Sequence, residues 1–334
     1  MCHHHRTVSG EQKSTAAARV PDFFIAGHAK SGTTALYLML RRHPQIYMPS
    51  LKEPQFFAPE MRSDPRFARE LPGTLEEYLA LFAPATPEQL AGEATPSYLR
   101  SPTAAAQIAA LAPGARIVAV LREPASFLRS LHLQFVQTMI ETETDLRRAL
   151  ALEQPRREGH ELPRGARSAA PFMYSEHVRY VEQLRRFDAV FPREQMLVLI
   201  YDDFRTDNEG SARQIMRFLD VDDSLPIAPV EANPTVRVRA GRLHAAKRAF
   251  HSAQGPAARA FKDSVNAAIP DGVRRTVVRP LRRQLRRKVL FARPAPAEEA
   301  LTGELRERFA GEVAALGDYL GRDLETLWGY GRRD

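Results

Sequence analysis

Lys30 lies in a short loop bounded by Gly27 and Gly32, and two threonines, Thr33 and Thr34, follow at once. A lysine, two glycines and hydroxyls in this spacing are suited to holding an anion. The glycines allow a sharp turn and close approach of a ligand to the backbone. The apolar run Phe23-Phe24-Ile25-Ala26 before the loop reads as a strand covered on both faces, and Thr33 opens an apolar helix. The first turn of that helix would present unpaired N–H groups and the positive end of its dipole. A nucleoside-triphosphate loop follows the pattern G-x-x-x-x-G-K-[ST]. Gly27 and Gly32 keep the glycine spacing, but Thr33 occupies the lysine slot and Lys30 sits three residues ahead of it. The loop can cradle a phosphate, with its cation in a different place from that of an ATPase.

A second basic group leaves a second strand. Arg116-Ile117-Val118-Ala119-Val120-Leu121 is a buried-strand run that ends at Arg122-Glu123-Pro124, and a helix is expected from there to about Met139. Ser130 falls about two turns into it. An arginine and a hydroxyl there can clamp a phosphate by charge-assisted hydrogen bonds. The alternative is an Arg122 paired with Glu123 or another carboxylate. A lysine loop and a separate arginine together ask for a ligand with two separated anionic groups.

The elements that must position these groups alternate. A third strand is expected at 195–201, followed by a helix to about Leu219. Further helices are expected at 74–82, from Ser101-Pro102 onward, and as one long amphipathic helix over 175–191. Residues 92–99 read as a polar loop, and 153–172, rich in Arg, Glu, Pro and Gly, as a flexible one. Asp202 and Asp203 read as caps of the helix that follows them. Strands alternating with helices give an α/β fold, a parallel sheet with helices on both faces and ligands at the carboxyl ends of the strands. Lys30 and Arg122 would then face one crevice. No internal repeat is present.

Composition bounds the rest. The chain has 334 residues, 44% of them apolar and 26% charged, as in an ordinary globular protein. Its one cysteine, Cys2, permits no internal disulfide and fits a reducing compartment. Residues 1–20 read as a flexible tail; His3-His4-His5 within it read as a frayed terminus more than a metal site. No signal-like segment precedes Phe23 and no run approaches a membrane span, so a cytoplasmic protein is expected. The net charge of +8 is uneven: residues 237–293 hold 16 Lys or Arg against Asp263 and Asp271, which makes that segment +14 and the remaining chain −6. Apolar residues interleave there, and 274–290 has the pattern of a basic amphipathic helix. One reading is a platform for an anionic glycan or a peripheral contact with membrane lipid. The other is a solvated helical subdomain. No aromatic interleaving or known module points to nucleic acid.

Taken together the motifs resemble the PAPS-dependent sulfotransferases, where PAPS is 3′-phosphoadenosine 5′-phosphosulfate. Lys30-Ser31-Gly32-Thr33-Thr34 resembles their 5′-phosphosulfate loop, and Arg122 with Ser130 resembles their 3′-phosphate pair. By motif the chain is most similar to the sulfotransferase domain of the heparan sulfate N-deacetylase/N-sulfotransferases. That likeness is carried by Thr33-Thr34-Ala35-Leu36-Tyr37-Leu38, by Glu53-Pro54-Gln55-Phe56-Phe57 and by Glu93…Thr95-Pro96-Ser97-Tyr98. Tyr201-Asp202-Asp203-Phe204 and Gly321-Arg322-Asp323-Leu324…Trp328 extend it. It spans about 22–235 and the last helix, so one sulfotransferase domain over 21–334 is expected, of P-loop-like three-layer build, with a basic helical insertion at about 237–293.

The chain departs from the family in places. Ala29, preceded by His28, stands where proline often precedes the loop lysine. Phe127 stands where many members have a basic residue after the arginine, Ala94 where glycan enzymes often have lysine, and the membrane anchor of the animal glycan enzymes has no counterpart. A soluble bacterial relative whose acceptor need not be heparan is what this implies.

The resemblance also implies roles. PAPS would be the co-substrate and PAP the product, with no metal required. Lys30 would meet charge on the leaving oxygen, while the N–H groups of Ser31, Gly32, Thr33 and Thr34 hold the phosphate. Glu53 would be the base, its ionisation raised by the neighbouring aromatics; the other reading pairs it with Lys52. His132 is the second candidate base, or else a partly buried structural histidine. Glu93, Thr95 and Ser97 would touch acceptor or cofactor. Arg237 and Arg239, in a stretch resembling a late cofactor-covering loop, would reach the 3′-phosphate. Two other classes remain open at this point: a nucleotide kinase-like P-loop enzyme, and a non-catalytic PAP-binding membrane adaptor.

Overall fold

The computed structural model describes residues 19–62, 71–163, 166, 168–227, 237–238, 291–292 and 298–331. Its centre is a five-stranded sheet in which all pairs are parallel: β1 (Phe23–Gly27), β2 (Ile46–Tyr47), β3 (Leu90–Ala94), β4 (Arg116–Leu121) and β5 (Met196–Ile200), in the order β2-β3-β1-β4-β5. β1 is the central strand, and every one of its residues is buried. Its side chains alternate between two cores. Phe23 and Ile25 join Val118, Val120 and Leu199 on one face, and Phe24 and Ala26 join Ile117, Ala119 and Leu121 on the other. Burial on both faces is why the strands read as unbroken apolar runs.

On the first face lie α1 (Thr33–Leu40) and α10 (Asn208–Phe218), supplying Leu36, Met39, Ile215 and Met216. On the second lie α3 (Ala104–Leu111), α4 (Pro124–Thr138), α8 (Tyr180–Asp188) and the C-terminal pair α11 (Glu299–Leu320) and α12 (Leu324–Trp328). Leu305, Phe309, Val313, Leu316, Leu324 and Trp328 of that pair belong to the same core as Phe24 and Leu121. The order of strands places β3 and β4 on either side of β1. The loops leaving those three strands therefore adjoin at one sheet edge, as the α/β rule requires.

Several expectations change. Residues 90–94, expected in part as loop, form the inner strand β3, with Glu93 buried among aromatics. The expected loop at 153–172 begins with a helix, α6 (Glu153–Arg157), which follows α5 (Leu146–Ala151). It is held by Arg156, whose guanidinium pairs with Glu141 at 2.8 and 3.0 Å in full burial. The single helix expected over 175–191 is two, α7 (Tyr174–His177) and α8, because the backbone leaves helical geometry at Val178 and Arg179. The helix after β5 also divides, into α9 (Tyr201–Thr206) and α10, since Asp207 caps α10 through its side chain. α3 starts at Ala104, two residues later than its Ser-Pro signal, although Ser101 Oγ does accept from the N–H groups of Thr103 and Ala104. The short α2 (Leu75–Ala80) carries a capping box between Thr74 and Glu77.

Asp202 and Asp203 cap nothing. They lie in the first turn of α9 and bind the C-terminal segment instead: Trp328 Nε1 donates to Asp202 at 2.9 Å, and Arg322 makes a two-toothed pair with Asp203. The basic segment and the N-terminal tail lie outside the described residues, apart from two backbone pairs in which β6 (Arg237–Val238) meets β7 (Phe291–Ala292) antiparallel. β6 runs beside α4. Among the described residues no helix is long and apolar enough to cross a membrane.

Candidate active site

The loop after β1 has the conformation its glycines allow. Gly32 adopts φ 80° at the N-cap of α1, and a Cβ there would meet Phe204 at 2.7 Å. A Cβ at Gly27 would meet Leu99 at 2.6 Å. No side chain caps α1, whose first internal bond runs from Leu36 N to Gly32 O at 3.1 Å. The preceding N–H groups at Thr33, Thr34 and Ala35 thus form an uncapped helix start. Lys30 itself lies at φ 63°, a left-handed geometry that costs an unbranched residue about 1–3 kcal/mol and must be held by its surroundings.

What holds it comes from β4. Arg122 Nη1 donates to Lys30 O at 2.9 Å, and Arg122 Nε donates to Ser126 Oγ at 2.6 Å. The guanidinium lies 4.7 Å from the centre of the Tyr201 ring. Tyr180 Oη donates to Arg122 O at 2.9 Å. Glu123, which sequence offered as a partner for Arg122, instead caps α4 by accepting from the N–H groups of Ala125 and Ser126, and takes the Tyr330 hydroxyl at 2.8 Å. Neither Lys30 nor Arg122 makes an ion pair with a carboxylate among the described residues. Burial, with the Arg122 charge beside it, brings the Lys30 ammonium down to about 8, and burial also lowers Arg122. Two half-buried cations beside an uncapped helix start are the electrostatics of a dianion site.

Ser130 is buried on α4, one turn beyond Ser126. Sequence reasoning named Ser130 and missed Ser126. The signal was present, since residues four apart share a helix face and Ser126 is the first hydroxyl on the Arg122 side.

On the other side of β1, Glu53 hangs from β3: its N–H donates to Ala94 O at 3.1 Å, and Thr95 N donates to Ile25 O of β1 at 3.1 Å. Glu53 and Gln55 both have positive φ, 61° and 52°. The Glu53 side chain is 45% exposed and its carboxylate contacts Lys52 Nζ. The aromatics expected around it turn elsewhere. Phe56 stacks on Tyr78 with ring centres 4.6 Å apart, and Phe57 meets Phe24, Tyr78 and Tyr98 edge-on.

Those aromatics enclose Glu93. Rather than facing an acceptor, Glu93 and Thr95 are fully buried. The Glu93 carboxylate accepts from Thr95 Oγ1 at 2.5 Å, Tyr78 Oη at 2.5 Å and Tyr98 Oη at 3.1 Å. Burial pushes Glu93 up to about 7 against the pull of those three hydroxyls, and the Glu53 charge adds to the rise. Ser97 Oγ is buried and has no hydrogen-bond partner among the described residues.

His132 is buried, its Nε2 2.9 Å from Glu143 O and its ring against Tyr174. A nitrogen facing a carbonyl oxygen must carry the proton, so Nε2 cannot accept one. Burial lowers its pKa. The geometry is that of a structural histidine.

By sequence His28 is only a departure from the family pattern, as is Phe127. The structure brings them together, ring centres 5.2 Å apart and edge-on. Gln183 Nε2 donates to Glu176 O and His177 O, so its Oε1 faces His28 Nε2 at 2.5 Å and that nitrogen carries the proton. Burial keeps the imidazole neutral, down to about 4. The two departures thus form one apolar contact under the lysine loop. Arg237 is described in its backbone alone and Arg239 lies outside the described residues.

A sequence profile of the sulfotransferase family matches residues 21–224. The chain is similar to a sulfotransferase of Alicyclobacillus acidocaldarius of known structure, at 25% identity and TM-score 0.64, covering 93% of this chain and 99% of that one. It is also 32% identical over 105 residues to the membrane-associated sulfotransferase kil1 of Dictyostelium discoideum. That match takes in 31% of this chain and 21% of the relative, so the chain spans about a fifth of that protein's length.

Proposed function

The chain belongs to the sulfotransferase family, and from that premise we propose that it transfers a sulfo group from PAPS to a hydroxyl, or less readily an amine, of a carbohydrate, glycolipid or natural product, releasing PAP. The observation that carries the reading is the pair Lys30 and Arg122, cations without a carboxylate partner among the described residues, flanking the uncapped start of α1. A nucleotide with a 5′-phosphosulfate and a 3′-phosphate has anions at the two places these groups would serve. The missing lysine at Thr33 disfavours a triphosphate there.

PAPS supplies the reactive sulfur–oxygen bond. The chain's own work is positioning and charge stabilisation, as in phosphoryl transfer. Lys30 sits in the loop where it meets the negative charge that grows on the leaving oxygen. The N–H groups of Gly32, Thr33 and Thr34 orient the 5′-phosphate, joined by that of Ser31 once it parts from His28 O, to which it donates at 3.4 Å. Arg122, Ser126 and Ser130 take the 3′-phosphate, and the family resemblance assigns Arg237 and Arg239 to the same group. Glu53, on the β3 side of Lys30, takes the acceptor proton on a solvent-facing carboxylate after parting from Lys52. Ser97, assigned to the acceptor by the family resemblance, would have to be uncovered to reach it, since its hydroxyl is buried. Peripheral binding to anionic membrane through residues 237–293 is part of the proposal. Its support is the +14 charge of that segment and the membrane association named for the Dictyostelium relative.

The test is incubation of the enzyme with sulfur-35-labelled PAPS and a cell lysate, followed by mass spectrometry of labelled products. The expected result is a labelled small molecule, glycan or lipid with wild type, and none with Lys30→Ala. Glu53→Gln should keep PAP binding and lose transfer. Label transfer undiminished in Lys30→Ala would sink the proposal.

A further inference from the structure

We infer that Glu93 is a positioning residue that, through the hydroxyls of Thr95 and Tyr98, holds the left-handed turn carrying Glu53. The turn has backbone that cannot hold itself. Glu53 and Gln55 sit at φ 61° and 52°, where residues with a Cβ are costly and persist only when neighbours over-determine them. The neighbours here are two oxygens. Thr95 Oγ1 accepts from Gln55 N at 3.4 Å, and Tyr98 Oη accepts from Phe56 N at 3.0 Å and Phe57 N at 3.4 Å.

A hydroxyl has one proton, and its direction decides whether the oxygen presents lone pairs to those N–H groups. Glu93 decides it. Once ionised, which for Glu93 means above about pH 7, a carboxylate only accepts, so the protons of Thr95 and Tyr98 must point at its two oxygens, Oε1 and Oε2. The lone pairs then face the backbone of 55–57. Tyr78 supplies a third proton to the same carboxylate and stacks on Phe56, which closes the cluster. The turn is also referenced to the lysine loop. Glu53 N is bonded to Ala94 O, the residue after Glu93, and Ala94 pairs in register with Ile25 of β1, which runs into Gly27. The chain of bonds from Glu93 therefore sets where Glu53 stands relative to Lys30.

The inference rests on the reading of Glu53 as the base, and the experiment separates the two. Thr95→Val and Tyr98→Phe remove a hydroxyl with little change of shape, Glu93→Gln replaces one acceptor oxygen by a donor, and Thr95→Ser keeps the hydroxyl. Amide hydrogen exchange is followed by mass spectrometry in peptides covering 53–58 and 28–36. In the first three variants exchange at 53–58 should quicken about tenfold with 28–36 unchanged, and Thr95→Ser should exchange like wild type.

Turnover is read as PAP release from PAPS with water as acceptor. It should fall about tenfold to a hundredfold in Thr95→Val and Tyr98→Phe with PAP affinity unchanged. Neither change should lower turnover further in a Glu53→Gln background. Unchanged exchange at 53–58 in all three variants, or losses that multiply with Glu53→Gln, would overturn the inference. Full turnover by Glu53→Gln alongside quickened exchange would support the held turn and overturn the choice of base.

Discussion

Lys30 carries its charge in a half-buried setting next to another cation, and that has a measurable consequence. Burial first, and Arg122 second, hold its ammonium down to about 8. A phosphate bound beside it favours the charged form, so binding is strongest where Lys30 is already protonated. PAP affinity should be near its plateau at pH 7 and fall through pH 8, to about a tenth at pH 9 of its value at pH 7. Lys30→Arg, charged throughout, should remove that decline, and calorimetric titration at several pH values checks both. The loop was legible in the sequence because strand, glycines, lysine and helix start are neighbours in the chain. Glu53 was legible only by likeness. Its left-handed backbone and the turning away of Phe56 and Phe57 depend on Tyr78, Thr95 and Tyr98, which are distant in sequence.

At the scale of elements, the strands that carry Lys30 and Arg122 were readable as apolar runs, whereas β3 was not. Its residues Leu90-Ala91-Gly92-Glu93-Ala94 place a carboxylate in the core, which a hydropathy pattern scores as loop. α6 was hidden for the same reason. Glu153, Arg156 and Arg157 look solvated, yet Arg156 and Glu141 are fully buried and paired, with Tyr174 Oη and the N–H groups of Thr142 and Glu143 completing the carboxylate's partners. Breaking such a pair from one side leaves a buried charge uncompensated. Arg156→Met should lower the unfolding free energy by about 3–5 kcal/mol, measured by urea denaturation. Arg156→Met combined with Glu141→Leu should recover part of it. Equal losses in the single and double variants would show that the pair is not what anchors α5 and α6.

At the scale of the whole molecule, three of the buried histidines among the described residues are held neutral: His28 down to about 4, and His132 and His177 lowered as well, each chiefly by burial. A group whose folded pKa lies below its unfolded value gives stability that is present above the unfolded pKa and is lost as pH falls toward the folded one. For His28 the window runs from 6.5 down to about 4 and is worth about 3 kcal/mol. Glu93 acts in the opposite sense, since its raised pKa gives stability that is lost as pH rises from 4.5 through about 7. Three histidines against two carboxylates, Glu93 and Glu312, the latter also raised by burial, should leave stability rising from pH 4.5 to 6.5, as read by urea midpoints across that range. A fall over the same range would contradict the burial assigned to the histidines.

The order of strands, with β1 between β3 and β4, is what gathers the lysine loop, the Glu53 turn and Arg122 at one sheet edge. That juxtaposition underlies the central claim, that the crevice is shaped for a 3′,5′-bisphosphorylated nucleoside. Calorimetric titration of the full chain with PAP and, separately, with ATP and magnesium tests it most directly. The account predicts saturable PAP binding that Lys30→Ala and Arg122→Ala each weaken, with far weaker binding of ATP–magnesium. Tight ATP–magnesium binding without PAP binding would contradict it.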